Sequence, residues 1–528
     1  MKTRCLITLS ALAALGGCTA TTVVDEKDGP FEHHEVVIPS AKHQTLLFGS
    51  FDESGNVPLA VVRIDAAGQR HVQMLAFDGA DWTQTNGLVL EPGVLFVDVA
   101  RIDGRDRLTT YRPTGMNWLD PDTGTEHPIV GATTNFHAPN DAGIPHLDVM
   151  RDLNGDGRDD LVMPDTDGFW LALQSSDGSF TGPVKIGVPD PFLNAKAYGD
   201  ERTYREVGIT PENTPWYLRR VHRFDYDRDG RADLVFWNAD HFLVYRQDET
   251  GGFADSPDAF ETDVHFDFDG PYSLAFQFGE TGVASMVLGL GEKMDSTILS
   301  GFRDVNADGL ADLVTLSLTG RSPLRLKGRY HVHFGRPTPG GTTFPAQPDT
   351  TAVAPGKSAG GTAWGYASQM FLDLDNDGAS DMALAAVNTS LGGMVRAMSA
   401  NSISMELALY GLRDGKYPAK PDWTRTVRTR FAPLDKRGPM FPTVLVGDIN
   451  GDGRSDLLTG ERWEELEVFL GTPGTEPVSS SPIKVAVDLP GNERNARLAD
   501  LDHDGKEDLV IQHPSATGPG RVNILMAR

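Results

Sequence analysis

The chain is 528 residues long, with 39% hydrophobic and 8% aromatic residues, enough to fill a sizeable core. A formal net charge of −27 excludes the basic surface that nucleic-acid phosphates require. The two cysteines, Cys5 and Cys18, both lie at the extreme N terminus, which excludes a disulfide framework for the remainder.

In chain order, Lys2 and Arg4 give a positive start, Leu6 to Leu15 form a short apolar run, and Leu15-Gly16-Gly17-Cys18 closes it. That run is too short to span a bilayer as a helix, so residues 1–17 read as an export signal. The LGGC ending resembles a bacterial lipobox. The resemblance implies that Cys18 is lipidated and becomes the mature N terminus, held in the membrane by several acyl chains. Thr19 follows rather than Asp, which points to the outer membrane, facing either the periplasm or the outside. An ordinary secretory signal is the alternative. Residues 18–34 are polar and aperiodic and read as a tether reaching about 50 Å when extended. His33, His34 and Glu35 fall at its end and are expected to be solvated.

From residue 35 to 528 the chain repeats. Six loops place oxygen-bearing side chains at positions one, three, five and nine, with glycine at position six and an apolar run after position nine. The first, DLNGDGRDDLV, offers Asp152, Asn154, Asp156 and Asp160 around Gly157. The next offer Asp225, Asp227, Asp229 and Asp233, then Asp304, Asn306, Asp308 and Asp312. The last three offer Asp373, Asp375, Asp377 and Asp381; Asp448, Asn450, Asp452 and Asp456; and Asp500, Asp502, Asp504 and Asp508. Calcium takes six to eight oxygen ligands, and a tight loop turning at glycine presents alternate side chains inward. About six calcium ions are therefore expected. Their charge would bring the chain's net charge to about −15. The loops with Asp at position three (225, 373 and 500) are expected to bind more tightly than those with Asn (152, 304 and 448).

Two worn copies come earlier. The stretch from Ser50 keeps Asp52 and Gly55, while Ser50, Ser54 and Pro58 stand where other ligands belong. The stretch from Asp98 keeps Asp103 and Gly104 but brings Arg101 and Arg107 to ligand positions. Their guanidinium groups are expected to replace the ion by pairing with Asp98, Asp103 or Asp106.

Each intact loop leads into a β-type run such as Leu234–Trp237 or Leu509–Gln512, and a second alternating run follows, as in FWLALQ from Phe169 or FLVYRQ from Phe242. This D-x-[DN]-x-D-G-x-x-D-L loop feeding a strand resembles the FG-GAP/VCBS repeat, the unit of the integrin α-subunit propeller. The resemblance covers nearly all of residues 35–528. It implies an all-β fold, a β-propeller of four-stranded blades with calcium loops between first and second strands. Eight units favour eight blades, although seven is the usual number and one worn copy need not be a blade. The C terminus stops after a third strand, so residues 35–39 are expected to supply the fourth and close the ring. An EF-hand is excluded: position 12 is Met163, Phe236, Thr315, Leu384, Thr459 and Ile511, never the required Glu.

Catalytic signatures are thin. Neither G-x-S-x-G nor H-E-x-x-H occurs, and the glycine-rich stretches Gly279 to Gly291 and Gly356 to Gly365 lack a phosphate-loop context. His331 and His333 alternate on one strand face and could share a metal, although such residues more often only decorate a strand. A carboxylate pair acting on polysaccharide, as lyase or hydrolase, could hide among so many acids. Three insertions, Gly187 to Arg219, Phe268 to Met294 and Gly411 to Met440, suit recognition better. The last holds Arg413, Lys416, Lys420, Arg425, Arg428, Arg430, Lys436 and Arg437 with Tyr417 and Trp423 between them, either a patch for an anionic partner or a solvated strand pair. Trp170, Trp216 and Trp364 could stack on sugars, though packing between blades is commoner. The expectation is a calcium-stabilised, monomeric envelope lipoprotein that binds protein or glycan, with a polysaccharide-active enzyme as the alternative.

Overall fold

The structure, a computed structural model, describes residues 29–52, 58–121, 123–134, 146–165, 168–187, 218, 220–238, 240–269, 294–320, 327–354, 370–372, 378–387, 399–430, 443–473, 476–491 and 495–528. Cys18, the export signal, Trp216, Trp364 and the loop residues Asp373, Asp375 and Asp377 lie outside them.

The repeated β-type runs form eight antiparallel blades of four strands in ring order. Blade 1 runs from His43–Phe48 to Trp82–Val89, blade 2 from Phe96–Ile102 to Glu126–Gly131, and blade 3 from Met150–Arg151 to Val184–Gly187. Blade 4 runs from His222–Phe224 to Asp258–Phe260, blade 5 from Met294–Arg303 to Thr350–Val353, and blade 6 from Met370–Leu372 to Trp423–Arg430. Blade 7 runs from Val444–Gly447 to Ile483–Ala486. Blade 5 carries an extra strand, Phe268–Asp269, paired in parallel with Ile298 and Leu299. First strands of neighbouring blades approach one another, which places them innermost.

Alternation gives every middle strand two apolar faces, and each must be buried against a neighbouring blade. Among the described residues the hydrophobic core accordingly falls into one cluster per seam. Blades 4 and 5 share the aromatic set Phe224, Trp237, Phe242, Phe260, Phe266, Phe302 and Phe344. The seam between blades 6 and 7 is sparser, with Val427, Leu457, Phe469 and Val478 at its centre. There Arg425 lies 4.1 Å over the Phe469 ring and donates to the Ser479 and Ser480 carbonyls.

Blade 8 is assembled from both ends of the chain. Ala496–Ala499, Asp508–His513 and Gly520–Ala527 supply three strands, and Phe31–Ile38 pairs antiparallel with the last of them from Phe31↔Ala527 to Ile38↔Gly520. The closing strand starts earlier than residue 35, so the segment expected to be a tether gives up Phe31 to His34 to the ring. His34 is buried rather than solvated, edge-on to Phe77 at 5.8 Å. Phe31 packs into the seam with blade 7, whereas Val36 and Ile38 pack into the seam with blade 1. One strand therefore seals two interfaces.

Two expectations test this packing. Ile38→Ala should cost about 2–5 kcal/mol in urea unfolding, the usual cost of emptying a closed core site. A loss below about 1 kcal/mol would mean that the closing strand is not cooperative with the ring. In blade 4, the His222 Nε2 is buried without a hydrogen-bond partner, and burial together with the nearby Arg220 pushes the imidazole down to about 4. The unfolded chain thus takes up a proton that the folded chain refuses, so this residue's own contribution to stability falls as pH drops from about 6.5 towards 4, opposite in sign to that of buried carboxylates such as Asp312 and Asp508. His222→Phe should therefore gain stability relative to the parent chain across that window; a difference that does not change with pH would clear His222 of the effect.

Candidate metal-binding loops and the two faces of the ring

Every intact loop joins the first strand of a blade to the second. The residue before position one pairs with position nine in each, as in Arg151↔Asp160, Phe224↔Asp233, Arg303↔Asp312, Leu372↔Asp381, Gly447↔Asp456 and Ala499↔Asp508. In the five loops whose described residues include position four, the backbone turns twice into the left-handed region. Position six is always glycine, for example Gly157 at φ 81° and Gly309 at φ 83°, where any Cβ would be strained. Position four turns similarly but holds Gly155, Arg228, Ala307, Gly451 and His503.

The first carboxylate organises this turn. Asp225 accepts the N–H of Asp229 at 3.0 Å and of Gly230 at 2.8 Å, and Asp152, Asp304, Asp448 and Asp500 do the same for their own fifth and sixth residues. The ninth carboxylate has a different role. In blade 8, Asp508 accepts from Leu501 N–H at 2.9 Å and from Ala527 N–H at 2.7 Å, and so ties the loop to the end of the third strand. Asp160, Asp233, Asp312 and Asp456 repeat both bonds, and Asp381 accepts from Leu412. These side chains are buried, and burial pushes Asp160 and Asp233 up to about 6 and Asp312 and Asp508 up to about 7.

Three carboxylates converge in two places among the described residues. Asp225, Asp227 and Asp229, and likewise Asp500, Asp502 and Asp508, each offer one oxygen within 4.8 Å of the others. Oδ1 of Asp227 is buried with no hydrogen-bond partner, while Oδ2 takes Arg246 at 2.9 Å. An orphaned buried oxygen beside two further carboxylates is costly unless a ligand completes it, and a hard cation fits that donor set.

The worn copies diverge in different ways. At Asp98 there is no loop. Ile102 pairs directly with Arg105, and Asp103 (φ 53°) and Gly104 (φ 72°) form a two-residue hairpin turn with both central φ positive. The guanidinium-for-calcium arrangement is therefore replaced by other contacts. Arg107 lies 4.3 Å over Trp118, and Asp98 accepts the amides of Val149 and Met150 and meets His146 Nε2 at 3.0 Å. At Ser50, residues 53–57 lie outside the described residues.

A belt of contacts that the repeat pattern does not announce links these turns around the ring. Where position eight is acidic, it accepts a main-chain N–H from the preceding blade: Asp106 from Ser50 at 2.8 Å, Asp159 from Arg101 at 2.7 Å, Glu507 from Asp448 at 2.8 Å. The residue before each donor is small (Gly49, Ala100, Gly447). A Cβ on Gly447 would sit 1.8 Å from Glu507 Oε2. Gln174 and Gln247, just after the third strands of blades 3 and 4, donate to Arg101 and Asn154 carbonyls of the preceding blade.

The other candidates resolve into structural roles. His331 Nδ1 meets the Thr351 hydroxyl on the fourth strand at 2.9 Å and His333 Nδ1 meets the Pro345 carbonyl at 2.8 Å. Trp170 packs in the seam of blades 2 and 3 with its Nε1 on Asp165. In the basic stretch, Tyr417 is buried, Trp423 packs inward and Arg413 holds Asp422 at 2.8 Å, which leaves Lys416, Lys420 and Arg428 exposed; Lys436 and Arg437 lie outside the described residues.

Because strands alternate in direction, the first-to-second and third-to-fourth connections share one face, and the rest share the other. The carboxylate loops are all on the first face. So are both ends of the described chain, since Phe31 pairs with Ala527 and Arg528 N–H donates to the Pro30 carbonyl. The long connections 188–221, 261–293 and 354–369 all leave from and return to the second face. Most of their residues, including the glycine-rich stretches, lie outside the described residues.

Fold and loops together define a β-propeller whose strand-joining turns gather carboxylates. A family model described as FG-GAP-like repeat matches residues 440–511, which span the loop of blade 7 and that of blade 8. The chain is an eight-bladed β-propeller in which residues 440–511 form an FG-GAP-like repeat. No curated protein matches the sequence. Among solved structures, the Tc holotoxin pore of Photorhabdus luminescens is 13% identical with a TM-score of 0.30, covering 94% of this chain and 15% of that one. The chain thus spans a small part of the toxin's length. Sqt1 of Saccharomyces cerevisiae is 10% identical with a TM-score of 0.34, covering 94% and 98%. The WD40 domain of SCAP from fission yeast is 8% identical with a TM-score of 0.34, covering 94% and 98%. Overlays this loose say nothing of what the chain does.

The two roles of the loop acids separate on substitution. Asp508→Ala orphans two main-chain donors in a buried site, whereas Asp504→Ala releases the Lys506 ammonium and one main-chain N–H on a solvated turn. In chelated buffer the first should cost at least about 2 kcal/mol more than the second. Equal losses would leave position nine as nothing more than a ligand.

Proposed function

We propose that this chain is a calcium-stabilised, lipid-anchored binding module of the cell envelope, and that it binds protein or glycan through the face that carries the long connections. The carrying observation is that the carboxylate loops and both ends of the described chain share one face, while the two longest connections, 188–221 and 261–293, leave from the other. Rigid turns suit a support, and long connections on a rigid ring suit recognition. An anchor at Cys18 would be followed by a tether ending at Phe31, on the loop face, and would turn the long connections away from the membrane.

Calcium would be held by the side chains at positions one, three, five and nine, and in blade 4 it would complete the oxygen that Asp227 leaves without a partner. The ion would supply charge compensation for the converging carboxylates and cross-link the two strands that each loop joins. The residues themselves fix the turn: position one gathers the loop amides and position nine grips the third strand.

Two measurements test this reading. Chelation should lower the melting temperature by at least about 5 °C, since an ion at 100 times its Kd adds about 2.7 kcal/mol per site. An unchanged melting curve would sink the calcium part. Replacing 188–217 and 270–293 by short Gly/Ser connections should leave the melt in place and abolish binding on a glycan array or to purified envelope fractions. Binding that survives both replacements would move recognition to another surface.

A further inference from the structure

We infer that the seventh residue of each loop sets how far its blade depends on calcium, a basic residue there acting as a built-in counter-ion, and that blade 5 loosens before blades 3, 4, 7 and 8 when calcium is withdrawn. The inference rests on the calcium reading above and adds to it a regulation of the same loops.

In four blades the seventh residue is basic and pairs with the fifth-position carboxylate of its own loop. Arg158 pairs with Asp156 in blade 3 and Arg231 with Asp229 in blade 4. In blade 7, Arg454 meets Asp452 at 3.0 Å, and in blade 8, Lys506 meets Asp504 at 2.6 Å. Two of these cations are also held from behind, because Arg158 Nε donates to the Gln174 carbonyl at 3.0 Å and Arg231 Nε to the Gln247 carbonyl at 3.1 Å. Their placement is therefore part of the fold.

Blade 5 has Leu310 at this position. Among the described residues, Asp308 receives only neutral donors, the Leu310 N–H at 2.9 Å and the Asn306 amide at 3.0 Å. The cations nearby are committed elsewhere. Arg303 lies 4.9 Å over the Phe371 ring of blade 6, and Arg336 holds Asp349 at 2.6 Å. Blade 6 carries Ala379 at the same position, so the two neutral seventh residues fall on adjacent blades. With the ion gone, carboxylates gathered on one turn repel. Four blades soften that repulsion internally and blade 5 does not, so the ring has a calcium-sensitive sector.

Hydrogen exchange of the full chain, read by mass spectrometry with calcium and with chelator, tests this. Peptides covering Met294–Arg303 and Asp312–Gly320 should lose protection first, ahead of the matching strands of blades 3, 4, 7 and 8 by about two- to fivefold in rate, the range an exposed ion pair is worth. Leu310→Arg should bring blade 5 back among the others, and Arg158→Gln should move blade 3 into the early group. Uniform loosening, or variants that leave the order unchanged, would overturn the inference while the calcium reading stands. A chelator without effect on any blade would overturn both.

Discussion

The ring depends on a buried carboxylate repeated around it. Position nine of each intact loop opens the second strand, with both oxygens accepting main-chain amides in the five loops where both bonds are seen, one from the loop and one from the end of the third strand. Three segments of one blade, the loop, the second strand and the end of the third, thus meet on one buried side chain. A charge so placed is expensive, and two charge-assisted hydrogen bonds offset part of its cost. The turn is built outward from this clasp. Position nine fixes where the turn begins and ends, and position one gathers the amides of positions five and six within it.

Much of this was legible in the sequence because backbone demands leave a fixed residue type at a fixed place. Position six must turn left-handed, so it is glycine six times; position nine must accept two amides, so it is Asp six times. The closing strand was legible from a missing fourth run at the C terminus, although its start was placed four residues late because Glu32, His33 and His34 look like tether. Contacts between blades were not legible. Asp106, Asp159 and Glu507 act on the preceding repeat, and nothing within one repeat distinguishes them from background acids; a small residue just before the partner's donor is the signal that finds them. The turn at Asp103–Gly104 was misread as a decayed loop. Two residues of that type between alternating runs are a hairpin signature in their own right. The basic stretch misled through strand alternation, which sends Trp423 and Arg425 into the seam with blade 7 and leaves fewer cations outside than the tally suggests.

The blades share a plan but not a budget of apolar surface. Blades 4 and 5 meet through stacked and edge-on aromatic rings, Phe224 on Phe302 at 4.6 Å and Phe242 edge-on to Phe302 at 5.4 Å. Blades 6 and 7 meet through a handful of side chains and one guanidinium over a ring. A closed ring tolerates such inequality because each blade is held from both sides, and a weak seam can part only if another yields.

The closing strand has a mechanical consequence. Its first residue lies on the loop face and its last on the opposite face, so a pull at the N terminus, resisted by whatever the far face holds, runs along the strand axis. Hydrogen bonds between antiparallel strands stand perpendicular to that axis. Traction on the tether would therefore load the rungs from Phe31↔Ala527 to Ile38↔Gly520 side by side, in shear, rather than peel them one at a time.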